Sequence, residues 1–136
     1  MSAVKGTHYT LYDAGTLLDP GEWGGGILVS YDKYEASALT TGSTIQMCVI
    51  PIGARILPES RLMTDDLGTG VTIAVGDGTD DDEYLTATSV AAASNTTFNV
   101  LDNLGEPITA AETMTLTTAG GNITGTIKLW VYYTMN

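Results

Sequence analysis

Cysteine, histidine and phenylalanine each occur once in this chain of 136 residues, and Lys and Arg together only five times. The lone cysteine, Cys48, excludes an intrachain disulfide framework and a cysteine-built zinc site. It lies in an apolar run and reads as a small strand residue. The lone histidine, His8, lies near the start, so a Ser-His-Asp or Cys-His centre would rest on that segment alone. Lys5, Lys33, Arg55, Arg61 and Lys128 are scattered along the chain, and 16 acids bring the net charge to −11. A nucleic-acid partner is disfavoured, because phosphate backbones are bound by clustered cations. No stretch approaches the ~20 apolar residues that cross a bilayer. The opening MSAVKGTHYTLYDAG has no apolar signal-peptide segment. The expectation is a protein made in a cytoplasm, soluble there, without a membrane partner.

What is present is alternation. The 43% hydrophobic content is that of a folded domain. The length suits one core. Val71, Ile73 and Val75 alternate with Thr72 and Ala74, the period of a strand with one buried face. That strand stops at the turn Gly76-Asp77-Gly78, after which come Asp80, Asp81, Asp82 and Glu83. Apolar segments resume at Tyr84 and Leu85.

Residues 1–26 have little periodicity but several aromatic and apolar residues, including Tyr9, Leu11, Tyr12, Leu17, Leu18 and Trp23. Disordered tails are poor in aromatics. This segment therefore reads as an extended arm, lying on its own domain or on a neighbouring subunit, with a disordered leader carrying one short strand as the alternative, ahead of a domain over 27–136. Strand signals begin at Ile27, with Ile27, Val29 and Tyr31 on one face. A loop is expected over Ala38–Ser43. In the next strand Ile45, Met47 and Val49 are expected to share a face. Pro51-Ile52-Gly53 is a turn, and Arg55–Met63 a strand that Pro58 confines to an edge or bulge.

Ala87–Ser94 is small and polar, with Ala91-Ala92-Ala93 able to make one helical turn. Phe98 and Val100 mark a short strand, Met114 and Leu116 another. The last strand is the clearest: Ile127, Leu129, Val131, Tyr133 and Met135 form one face, Trp130 and Tyr132 part of the other. About eight short strands and no helical stripe give an all-β, single-domain fold, a jelly-roll-like sandwich or partly closed barrel.

No catalytic constellation emerges, and no cofactor is implied. The acidic turn Asp77–Glu83 offers oxygen ligands for a hard cation. Its spacing departs from the calcium loop D-x-[DN]-x-[DN]-G, so a solvated turn is the simpler expectation and no metal site is assigned. Gly24–Gly26 precedes a strand, whereas phosphate cradles open a helix. The positive signal is aromatic. Trp130 and Tyr132, pointing away from the core, are candidate partner-surface residues, and Trp23 is a further candidate anchor.

The order of Val49–Leu57, Val75-Gly76-Asp77-Gly78, Asp82-Glu83-Tyr84-Leu85, Ile108–Met114 and Gly125–Tyr133 resembles small virion proteins of tailed bacteriophages, in particular head decoration (cement) proteins. The resemblance covers residues 45–136. It implies a jelly-roll-like subunit without catalytic residues, forming a homotrimer on the capsid surface. Its partners would be the major capsid protein and itself, with assembly in the host bacterial cytoplasm. The alternative from the residues is a carbohydrate- or host-binding β-module of a phage tail or fibre, since Trp and Tyr also stack on sugars.

Overall fold

A computed structural model of the chain describes Gly15 and residues 26–135. Trp23 and the arm, apart from Gly15 and Gly26, lie outside the described residues. Nine strands follow in order: β1 Ile27–Leu39, β2 Thr44–Ile50, β3 Ala54–Ile56, β4 Arg61–Thr64, β5 Thr72–Gly76, β6 Leu85–Ser89, β7 Ser94–Thr97, β8 Glu112–Ala119 and β9 Ile123–Met135. A single 3-10 turn, Leu101–Asn103, precedes β8.

The pairings nest. β1 pairs with β9, β2 with β8, β4 with β7 and β5 with β6, all antiparallel. A long hairpin rolled up on itself has this pattern. Two further pairings, β4 with β9 and β5 with β8, close the roll into two sheets. Sheet I runs β1-β9-β4-β7, with β3 also on β9, and sheet II runs β2-β8-β5-β6. This is a jelly-roll sandwich, the first of the two architectures expected. The sheets do not close into a barrel.

Between them lie fully buried Ile56, Leu62, Ile73, Val75, Leu85, Met114, Leu116, Ile127, Leu129 and Val131. Each such side chain contributes about 1.5–3 kcal/mol by leaving water.

Four local expectations are corrected. In β2 a register shift between Gln46 and Val49 turns Met47 and Cys48 both inward. Val49 is left 63% exposed and Ile50 fully buried, because a bulge reverses the alternation beyond it. Arg55–Met63 is not one strand: the chain breaks at Pro58 into β3 and β4, since proline cannot donate to a ladder. Ala91-Ala92-Ala93 makes no helical turn but joins β6 to β7, whose ladder with β4 takes up the backbone groups. Phe98 and Val100 lie just beyond β7 rather than in a strand. In addition β1 runs on through Ala38 to Leu39, its register shifting after Ala36.

Candidate partner-binding surface

The β1–β9 register decides which side chains leave the sandwich. Ser30 lies opposite Val131 and Asp32 opposite Leu129, facing sheet II. The intervening pairs, Val29 with Tyr132 and Tyr31 with Trp130, face away. On the other side of β9, Arg61 lies opposite Trp130 and Met63 opposite Lys128. Trp130 and Tyr132 thus stand on the outer face of sheet I, where the sequence placed them, both half-buried. Tyr31 packs on Trp130 with ring centroids 4.1 Å apart and planes tilted by 35°.

The outer face is apolar over one end. Ile27, Val29 and Tyr31 are 66%, 51% and 44% exposed. Among the described residues β1 is the edge of sheet I, and its outward side chains face away from sheet II. Beside them a groove of about 520 Å³ is lined by Ile27, Leu57, Met63, Trp130 and Tyr132, with the charged Glu59 and Arg61. At Met63 it meets a second, more polar groove of about 510 Å³ between β7 and β9, which includes Asn95 and Lys128. Contiguous apolar surface of this kind marks a contact site.

Cations gather on the same face. Lys33 lies opposite Lys128 and Arg61 opposite Trp130, on outward register positions, while Arg55 lies opposite Thr134 with both side chains buried. These are all four Lys and Arg among the described residues, in a chain of net charge −11. Arg55 is buried and donates to the Gly105 carbonyl at 2.8 Å. Lys33 pairs with Glu35 at 3.6 Å. Scattered in sequence, the cations become neighbours only through the β1–β9–β4 pairing. The sequence reading missed this.

The acidic turn follows β5. A Cβ on Gly76 would fall 1.8 Å from the Asp80 carbonyl oxygen, so only glycine lets the turn close against the strand. Asp77 accepts from the backbone N–H of Thr79 and Asp80. Glu83 turns inward, and its carboxylate meets those of Asp77 and of Glu112 on β8 within 4.8 Å. Glu112 also accepts from the Tyr84 hydroxyl.

Oε2 of Glu83 is enclosed without a hydrogen-bond partner. Burial, then the proton shared with Asp77 and the charge of Glu112, push the Glu83 carboxyl up to about 8. Burial also pushes Asp77 up, but the Asp80 N–H and the Glu83 proton outweigh it and hold Asp77 below its ordinary value. Burial raises Glu112. The acidic turn is therefore not wholly solvated, as the sequence suggested. Glu83 is folded against Asp77 of its own turn and against Glu112 from another strand. Offering one oxygen each, the three carboxylates would supply three of the 6–8 ligands a calcium ion takes.

Among the described residues no helix is long and apolar enough to cross a membrane. No family model matches the chain. No curated protein matches it.

Solved structures do. The chain is similar to one in the cyanophage Pam1 capsid asymmetric unit: 27% identity, a TM-score of 0.73, 88% of this chain and 93% of that one covered. Phage capsids supply the fold. A chain in the capsid of Ralstonia phage GP4 is 21% identical with a TM-score of 0.66, over 82% of this chain and 86% of that one. A chain in the capsid of Helicobacter pylori bacteriophage KHP30 is 15% identical with a TM-score of 0.55, over 80% and 87%. The last two show the jelly-roll sandwich alone. The resemblance to phage virion structural proteins read from the sequence thus has a counterpart in three dimensions.

Proposed function

We propose that this protein is a phage capsid decoration (cement) protein. It binds the outer surface of the major capsid protein lattice and stabilises the mature head by non-covalent bridging. The observation that carries this reading is the 27% identity, over nearly the full length of both chains, to a chain of the cyanophage Pam1 capsid asymmetric unit. The apolar outer face of sheet I, with Trp130 and Tyr132, supports it by offering a contact surface, and Trp23 of the sequence's N-terminal arm is a further proposed contact. A ligand that binds only the assembled shell stabilises it by mass action. The subunit forms a homotrimer, whose closed symmetry buries the same patch on every copy. It is a structural protein of the virion surface, without a catalytic role.

Two measurements test this. Purified protein mixed with empty expanded heads should sediment with them and raise their melting temperature. Light scattering after size exclusion should give the mass of a trimer. Failure to sediment with heads, together with retention on cell-wall glycan, would replace this reading with the sugar-binding module of a tail or fibre.

A further inference from the structure

The strand registers sort the loops into two ends of the sandwich. One end gathers the start of β1, the end of β9 and β3, since Ile27 and Arg55 both lie opposite Thr134. The turn Pro51-Ile52-Gly53 is fixed there by the Gly53 N–H, which donates to the Ile108 carbonyl at 3.0 Å. The acidic turn belongs to the same end, because β5 stops opposite Thr115 near the start of β8, where Ile50 meets Glu112. Asn103 of the 3-10 turn donates to the Glu83 carbonyl at 2.7 Å and so joins this end. The loops between β1 and β2, β4 and β5, β6 and β7, and β8 and β9 make the opposite end. We propose that the first end docks on the capsid lattice, against an apolar patch of a different protein that carries Lys and Arg at its margin. The docking rests on the capsid role proposed for this protein.

Apolar side chains are divided unequally between the two ends. Ile27, Leu28, Val29, Val49, Ile52 and Leu101 are exposed, and all stand at or beside the first end. Ile52 in its turn is 60% exposed, and Leu101 on the 3-10 turn 84%. In the loops of the opposite end Leu67, Val71 and Val90 are buried. Single exposed apolar side chains are ordinary; their gathering towards one end, among the described residues, marks a contact surface. Local backbone devices present two of them. The bulge in β2 turns Val49 out of the core. The Ala54 N–H, donating to the Pro51 carbonyl at 3.3 Å, closes the turn that holds Ile52 outward. A backbone fixed in this way lowers the ordering cost of docking.

Charge selects the occupant. The first end carries the acidic turn Asp77–Glu83 together with Asp102, Glu106 and Glu112, and Glu59 follows β3 beside it. Arg55, the cation at this end, is buried. Lys33, Arg61 and Lys128 lie along the outer face of sheet I instead. The end is therefore negative, and a second copy presenting the same end is repelled. A partner with Lys and Arg around an apolar centre is attracted, and the attraction weakens as salt screens it. The apolar surface runs on through Ile27 and Leu57 into the groove on sheet I, so Trp130 and Tyr132 flank the docked partner.

The test is sedimentation of the full-length protein with empty expanded heads. Ile52→Asp and Leu101→Asp, both at exposed positions, should each weaken binding by at least about tenfold. Ala92→Asp, which adds the same charge at the opposite end, should leave it unchanged. Replacing Asp80, Asp81 and Asp82 by Asn should weaken binding at low salt and remove most of the salt dependence seen with the wild type. Circular dichroism and light scattering should give every variant the sheet signal and mass of the wild type, and either apolar variant suffices if the other does not fold. Wild-type protein that fails to sediment with heads overturns the capsid role and this docking with it. Wild-type protein that binds, with both apolar variants binding equally well, overturns the choice of face alone. Folded variants that lose the wild-type mass assign this end to a contact between copies and equally overturn the proposal. Binding that strengthens in the Asn variant overturns the basic margin of the partner.

Discussion

Tyr31 and Trp130 face each other across the β1–β9 ladder on the outside of the sandwich, with ring centroids 4.1 Å apart. Their neighbours on the inner face, Leu129 and Val131, are fully buried. From Ile127 to Tyr132, β9 thus serves the core with its odd-numbered residues and the surface with its even-numbered ones. The two kinds of position should respond differently to truncation.

Trp130→Ala should cost about 1–2 kcal/mol in thermal unfolding, the value of an aromatic pair with partial burial, and leave the fold intact. Binding to empty heads should weaken by at least tenfold in sedimentation. Head binding equal to that of the wild type would remove Trp130 from the contact surface.

Leu129→Ala, one residue away, should cost about 2–5 kcal/mol in urea unfolding, because it opens a cavity between the sheets. A loss below about 1 kcal/mol would contradict the packing of β9 against sheet II.

The Glu83 carboxyl should make stability fall as pH rises. Its ordinary value is 4.5 and its folded value about 8, so between these limits the folded state holds a proton that the unfolded state has released. Stability should be highest below about pH 4.5 as far as this group is concerned, and decline towards pH 8. Asp77, shifted downward, contributes in the opposite sense but only at acid pH. Glu83→Gln should flatten the decline and stabilise the protein at pH 8 by on the order of 1 kcal/mol, allowing for solvent screening of a partly exposed group. Melting curves with unchanged slope against pH between 5 and 8 in that variant would refute the shared proton.

Gly76→Ala should destabilise by about 1–3 kcal/mol, since the added methyl meets the Asp80 backbone rather than a movable side chain. Gly42→Ala offers a comparison: its Cβ would meet nothing within 4 Å, leaving only the strain of its positive φ. Equal losses at the two sites would show that the turn does not press on the strand.

Cys48 is buried, and burial raises its thiol above the ordinary value despite the hydrogen bond with Ser30. A thiol reagent at pH 8 should therefore label the native protein only as fast as it unfolds. Rapid stoichiometric labelling would place Cys48 on the surface.

Much of the fold was legible because strands write their burial into a period of two. The alternation at Ile127–Val131 recurs as the buried face of β9, whereas β5, read as a strand with one buried face, is buried on both, Ala74 included. Pro58, Gly53 and Gly76 mark breaks for local steric reasons. Where reading failed, a non-local hydrogen-bond ladder had overruled the local pattern. The bulge opposite β8 turns Val49 outward, and pairing with β4 draws the polar run Ser94–Thr97 into a sheet.

The sequence by itself determined that this is an all-β chain and that Trp130 and Tyr132 point away from the core. Side-chain period and composition are local properties, and they suffice for those conclusions. The tertiary structure alone decided that β1 is the edge of sheet I among the described residues, that Lys33, Arg61 and Lys128 share one face, and that Glu112 joins Asp77 and Glu83. Each of these depends on which strands pair and in what register. Pairing is settled by closing the whole hydrophobic core at once, over separations that no short window of sequence spans.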